Sequence, residues 1–214
     1  MSFQTIFENQ EFMTVNNRRM VGQQVARSGY MTVAQYLTAV PWVFTVKPNN
    51  YLYYPTARAI IQAIDNKDRQ LPEVIQFNSS NLSWFTAYQG AYTSTPTGIV
   101  LASTPAANAT TISLGTLPTM SSSDNLFKAG DFIMIGGFTY KITANVLRGS
   151  GSTVSVVIHR PIIGSQTAGA AVSCGNNCTF NVVAEACPTY TLNPMTNGAF
   201  VQWDQPFVFR EYIT

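Results

Sequence analysis

Two glycines set between two apolar runs constrain this chain most. Phe132-Ile133-Met134-Ile135 precedes Gly136-Gly137, and Phe138 to Thr143 follows. Glycine enters the positive-φ conformations of a two-residue turn without steric cost, so the spacing predicts an antiparallel hairpin. The surroundings agree. Ala129-Gly130-Asp131 reads as a turn before the hairpin and Gly149-Ser150-Gly151-Ser152 as another after it. Val154, Val156 and Ile158 then alternate with Ser155, Val157 and His159, a strand that ends at Arg160-Pro161. Short strands at this density predict a small antiparallel barrel or sandwich.

The flanks also read as β, with one exception. Ala26-Arg27-Ser28-Gly29-Tyr30 carries a turn signal before the run Met31 to Leu37. Pro41 to Val46 is rich in aromatic and β-branched residues and ends at the turn cluster Lys47-Pro48-Asn49-Asn50. Val74–Phe77 and Leu82–Phe85 are further strand candidates. The exception is a helix. Ala57, Ile60, Ile61 and Ile64 recur at i, i+3, i+4 and i+7, and Pro55 and Thr56 sit where a helix N-terminus tolerates them. Asp65, Lys67, Asp68 and Arg69 then end it in water.

Residues 93–125 turn to Thr, Ser, Ala, Gly and Pro, which places a boundary near residue 95. The tail from Phe200 to Tyr212 returns to the aromatic style of the first half, with a Phe207/Phe209 face opposed to an Arg210/Tyr212 face. The expected organisation is a β-barrel domain over 1–95, completed by 192–214 and flanked by one helix. An inserted small all-β domain spans 96–191.

Charge limits the function. Asp, Glu, Lys and Arg make up 10% of the 214 residues, against ~25% in an ordinary soluble domain. A free monomer uses charge to stay apart from its neighbours, so the deficit points to surface buried in an assembly. A Ser/Thr/Asn-rich secreted β-protein is the other reading. The net charge of +2 is too weak for a nucleic-acid footprint, and Arg18-Arg19 is the only tight basic pair. Met1 to Thr5 lacks the basic start and apolar run of a leader, so retention in a cytosol or a particle is expected. No stretch reaches the ~18 apolar residues of a membrane span.

Catalytic chemistry is sparse. His159 is the one histidine, and no GxSxG elbow accompanies it. The glycines match neither a phosphate loop nor a dinucleotide fingerprint. Asp65 and Asp68 belong to a helix end. Asp131 is expected to cap a turn by bonding to backbone two residues on, and Glu211 to pack against an arginine. The chain is therefore expected not to be an enzyme. Cys174, Cys178 and Cys187 leave three readings open: reduced thiols, a Cys174–Cys178 disulfide across Gly175-Asn176-Asn177, or a tetrahedral metal site such as zinc completed by His159 or a neighbouring chain.

Taken together, these residues resemble tail and baseplate proteins of tailed bacteriophages. Arg19 to Gln23, Ala26 to Gly29 and Pro41 to Val46 resemble the opening of tail-tube-like and hub domains. The helix Ala57 to Ile64 with Asp68-Arg69 looks like the helix flanking their barrel. Phe127 to Ile133, Tyr140 to Thr143 and His159-Arg160-Pro161 are similar to a small barrel inserted in such proteins. Trp203-Asp204 to Glu211 is similar to their last strand.

The resemblance implies a ring-forming structural component of a phage tail: a hub, a distal-tail ring or a tube initiator joining tube and baseplate. It would assemble in the host cytoplasm and reside in the virion. One tube-like domain per chain implies six copies; a hub implies three. Other tube and baseplate proteins are the implied neighbours, with no nucleic-acid recognition. Some relatives so implied carry an iron–sulfur cluster on four C-terminal cysteines, whereas this chain has three. The arm Phe3 to Val15 precedes the first barrel strand, which makes Phe3, Ile6, Phe7 and Phe12 the expected contacts to a neighbour. The alternative function is a carbohydrate- or receptor-binding β-module of the tail tip, with Tyr51, Tyr53, Tyr54 and Trp84 as stacking aromatics.

Overall fold

Alternating burial along Val43–Pro48, with Phe44 and Val46 inward, sets the centre of a five-stranded antiparallel sheet. The order is Gln10–Asn16, Val43–Pro48, Phe207–Glu211, Thr179–Ala186 and Glu73–Gln76. In a computed structural model of the chain, residues 3–18, 21–35, 40–49, 52–67, 70–195 and 198–213 are described. The chain is mainly β. It divides into two compact units: residues 1–17, 41–84 and 179–214, and residues 18–40 and 85–178.

The first unit holds the five-stranded sheet, a curled half-barrel. Its register shifts between Gln10 and Phe12 and between Ala184 and Ala186, and such bulges sharpen a strand's bend. Phe180, Val182, Phe207 and Phe209 alternate inward like Phe44 and Val46. Two helices accompany the sheet. Tyr54–Lys67 carries the expected stripe, with Ala57, Ile60, Ile61 and Ile64 buried. Phe3–Glu8 buries Phe3, Ile6 and Phe7. A three-stranded sheet, Tyr190–Met195, Gly198–Trp203 and Leu52–Tyr53, packs against the longer helix.

Two buried carboxylates tie this unit together. Glu73 accepts an ion pair from Lys67 at 3.1 Å and the backbone N–H of Phe3 at 3.4 Å. Glu211 accepts the N–H of Trp42 at 3.0 Å, while its own N–H donates to the Trp42 carbonyl at 2.7 Å. Glu73 Oε2 and Glu211 Oε2 thus gain partners of the kind that burial demands.

The second unit is built of small antiparallel sheets. Phe132–Ile135 lies between Phe138–Lys141 and Val172–Cys174; Thr111–Gly115 lies between Thr153–Val157 and Val100–Leu101; Asn125–Phe127 pairs Val146–Leu147. Gly136 and Gly137 take φ of 59° and 83°, the pair of positive values that the two-residue turn demands. Leu114, Phe127, Ile133, Ile135, Ile142 and Val156 are among the side chains that close one apolar core.

Several expectations shift. Residues 179–186 sit in the sheet of the first unit, not in the block 96–191, because they hydrogen-bond to Glu73–Gln76 and Phe207–Glu211. Residues 18–40 cluster with the second unit. Leu82–Phe85 is not a strand: Ser83–Thr86 forms one helical turn, begun by Leu82 and Ser83 N–H groups on the Ser79 carbonyl. Arg19, residues 36–39, Asn50, Tyr51, Asp68 and Arg69 lie outside the described residues.

Candidate assembly surface

Val21–Val25 and Met31–Gln35 pair antiparallel in strict register, from Val21 opposite Gln35 to Val25 opposite Met31. The turn between them closes by Ala26 N–H to the Tyr30 carbonyl at 2.7 Å and Gly29 N–H to the Ala26 carbonyl at 2.8 Å. Gly29 sits at φ 85°, which suits glycine alone without strain. Among the described strands, this hairpin pairs with no third. A two-stranded ribbon is marginal in water without a partner. At its tip Val25 is 61% exposed, Tyr30 78% and Met31 58%. Arg27 is the one charge in the turn.

The first unit adds open sheet edges. Gln10–Asn16 and Glu73–Gln76 end the five-stranded order, and each exposes a large apolar side chain, Phe12 and Val74. Edge strands usually carry charge or proline to discourage pairing. On Gln10–Asn16 that protection is Glu11, paired with Lys47 at 3.5 Å. On the edge strand Tyr190–Met195 it is Pro194, with Leu192 and Met195 exposed around it.

The residues expected to reach a neighbour divide. Phe3, Ile6 and Phe7 are corrected to core positions. The arm is not extended over its first residues but helical, and Phe7 meets the rings of Phe209, Phe77 and Phe44 at 5.1, 5.5 and 5.7 Å. Phe12 alone of the four is exposed. The hairpin tip was legible as a turn in Ala26–Tyr30 but gave no sign of standing unpartnered.

The candidate chemical groups are held by backbone. His159 Nδ1 accepts the Lys141 N–H at 3.0 Å, and its own N–H donates to the Lys141 carbonyl at 2.9 Å. Asp131 caps its turn backwards, not forwards: Oδ2 accepts the Lys128 N–H and Oδ1 the Gln89 N–H, both at 2.8 Å. Burial holds its carboxyl above the usual range, against the lowering effect of those two N–H groups. All three cysteines are free thiols. Burial pushes the Cys174 thiol up to about 12, with the Asp131 charge adding to it, and raises Cys178 well above its ordinary value. Cys178 Sγ donates to the Ser173 carbonyl at 3.6 Å.

Metal ligation requires thiolates, which these surroundings disfavour. Cys187 belongs to the other unit, and among the described residues no three His, Cys, Asp or Glu side chains gather as a metal site. No described helix is long and apolar enough to cross a membrane. Compared with protein-family models and with curated proteins, the sequence matches none.

Proposed function

We propose that this chain is a structural subunit of a bacteriophage tail, forming a homo-oligomeric ring at the tube or baseplate. The observation that carries the reading is the Val21–Val25/Met31–Gln35 hairpin, which exposes Val25, Tyr30 and Met31 and has no third strand among those described. A ribbon of this kind becomes stable when a neighbour pairs with it or covers its apolar tip. With 10% charged residues, the chain has little to oppose such contact. A curled sheet with two open edges supports the tail-tube-like reading of the first unit. Repeating one heterologous contact by rotation closes a ring.

Six copies follow from one tube-like domain per chain, and a hub would hold three. Neighbouring tube and baseplate proteins then meet the ring's two faces, within a virion assembled in the host cytoplasm. The reading is non-enzymatic: His159 is engaged by backbone, and Cys174 and Cys178 hold their protons.

The test is a double substitution at the tip, Tyr30→Ser with Met31→Asp. Both side chains are exposed, so stability should change by less than about 0.5 kcal/mol. Incorporation of the variant into particles, measured against the parent chain by quantitative mass spectrometry, should fall at least tenfold. Incorporation equal to the parent's would remove the hairpin from the account.

A further inference from the structure

A groove of about 430 Å³ opens in the first unit where the end of the Phe3–Glu8 helix, the start of the Gln10–Asn16 strand, Asn49 and the Asn81–Trp84 turn converge. Trp84 is 64% exposed beside it and Phe12 44%. A tryptophan this exposed leaves a large ring face in water, which is uncommon. Its polar handle is already used: Nε1–H donates to the Asn81 carbonyl at 2.8 Å. That bond fixes the ring's orientation and leaves only its faces to offer a ligand.

Part of the polar wall is held as well. Glu8 accepts from Gln4 Nε2 at 3.0 Å, and the Asn49 N–H donates to the Asn9 carbonyl at 2.7 Å. Gln10 Oε1 is buried with no hydrogen-bond partner, an acceptor that an entering hydroxyl satisfies when the amide turns. Glu8, Gln10, Asn49 and Asn81 together supply planar donors and acceptors around one aromatic platform.

The geometry points to a neutral oligosaccharide of pyranose units as the ligand of this groove. The C–H face of a sugar ring stacks on the Trp84 indole, whose π-face is negative and attracts polarised hydrogens. Adjacent hydroxyls meet the amides and the Glu8 carboxylate, which pair well with groups that both donate and accept. Acidic sugars are disfavoured because Glu8 and Glu11 line the groove and Lys47, the nearby cation, is paired with Glu11. A peptide anchored by apolar side chains fits less well, because five of the eight lining residues are amides or carboxylates. The site goes beyond the ring-forming role, since Trp84 lies outside the hairpin that carries it.

The experiment is an isothermal calorimetric titration of the full chain with cellotetraose, chitotetraose, maltotetraose and an extended peptide up to about 10 mM, the range where weak sites saturate. At least one of the three sugars saturates the signal. Trp84→Ala weakens that binding at least tenfold with the melting transition unchanged, Trp84→Phe retains most of it, and tetragalacturonate gives no saturation. The proposal is overturned if none of the three neutral sugars saturates, if Trp84→Ala binds as the parent does, or if only an extended peptide probe occupies the groove. Ring formation is read separately, from particle incorporation, so either result stands without the other.

Discussion

Phe7→Ala should destabilise the first unit by about 3–5 kcal/mol, the range for emptying a buried phenylalanine site. Phe7 is fully buried and touches three rings that belong to distant parts of the chain: Phe44, Phe77 and Phe209. Its removal leaves a cavity where the Phe3–Glu8 helix meets the five-stranded sheet, and those aromatic partners cannot all move to fill it. Hydrogen exchange should lose protection across Val43–Pro48, Glu73–Gln76 and Phe207–Glu211. Deleting residues 2–15 should do more, since it also removes Phe3, Ile6 and the edge strand. The segment is thus part of the fold and not a detachable arm. A truncated chain that melts like the parent would contradict this placement.

Arg160 carries the second large effect. It is fully buried in the second unit. Its Nη1–H donates to the Val40 carbonyl at 2.6 Å and Nη2–H to the Thr139 carbonyl at 2.9 Å, with the Tyr140 ring 5.1 Å from the guanidinium carbon. The fork of the guanidinium reaches two carbonyls from segments far apart in sequence, which no other side chain does in one plane. Arg160→Met should cost roughly 2–4 kcal/mol, because it removes two charge-assisted hydrogen bonds and strands two carbonyls. Arg160→Lys should recover less than half of that, as one ammonium group cannot serve both acceptors in the same geometry. Chemical denaturation of the three proteins measures it. A lysine variant as stable as the parent would show that charge alone, not the fork, holds the site.

Which parts of the fold could be read in advance follows from the range of the forces involved. The Gly136-Gly137 turn and the Ala57–Ile64 stripe are local: a φ requirement and a 3.6-residue period, each complete within a few residues. Phe3, Ile6 and Phe7 also fall at i, i+3 and i+4. Six residues are too few for the period to stand out, and the segment takes its helix from burial against the sheet. Leu82–Phe85 shows the converse ambiguity, a four-residue apolar run that suits strand and helix alike. For Phe180, Val182 and Ala184 the alternation is plain, but pairing with Glu73–Gln76 and Phe207–Glu211 is a non-local fact that no window of sequence holds.

The surface was the least legible part. Scarcity of charge signals contact without saying where, and aromatic residues in a segment look the same whether they face a neighbour or the chain's own core. Phe7 and Phe12 differ by five positions, yet one is buried and the other exposed. Trp84 is one of the aromatics suited to stacking, but the amides and carboxylates beside it come from three separate stretches of chain, at residues 8–11, 49 and 81.

Ring formation is tested most directly by the copy number of this chain in particles that contain it, read by quantitative mass spectrometry and located by cryo-electron microscopy. The account predicts six copies in one ring around the tail axis, with each Val21–Val25/Met31–Gln35 hairpin against a neighbouring subunit. Three copies in such a ring would identify a hub. A single copy, or copies scattered over the capsid, would contradict it.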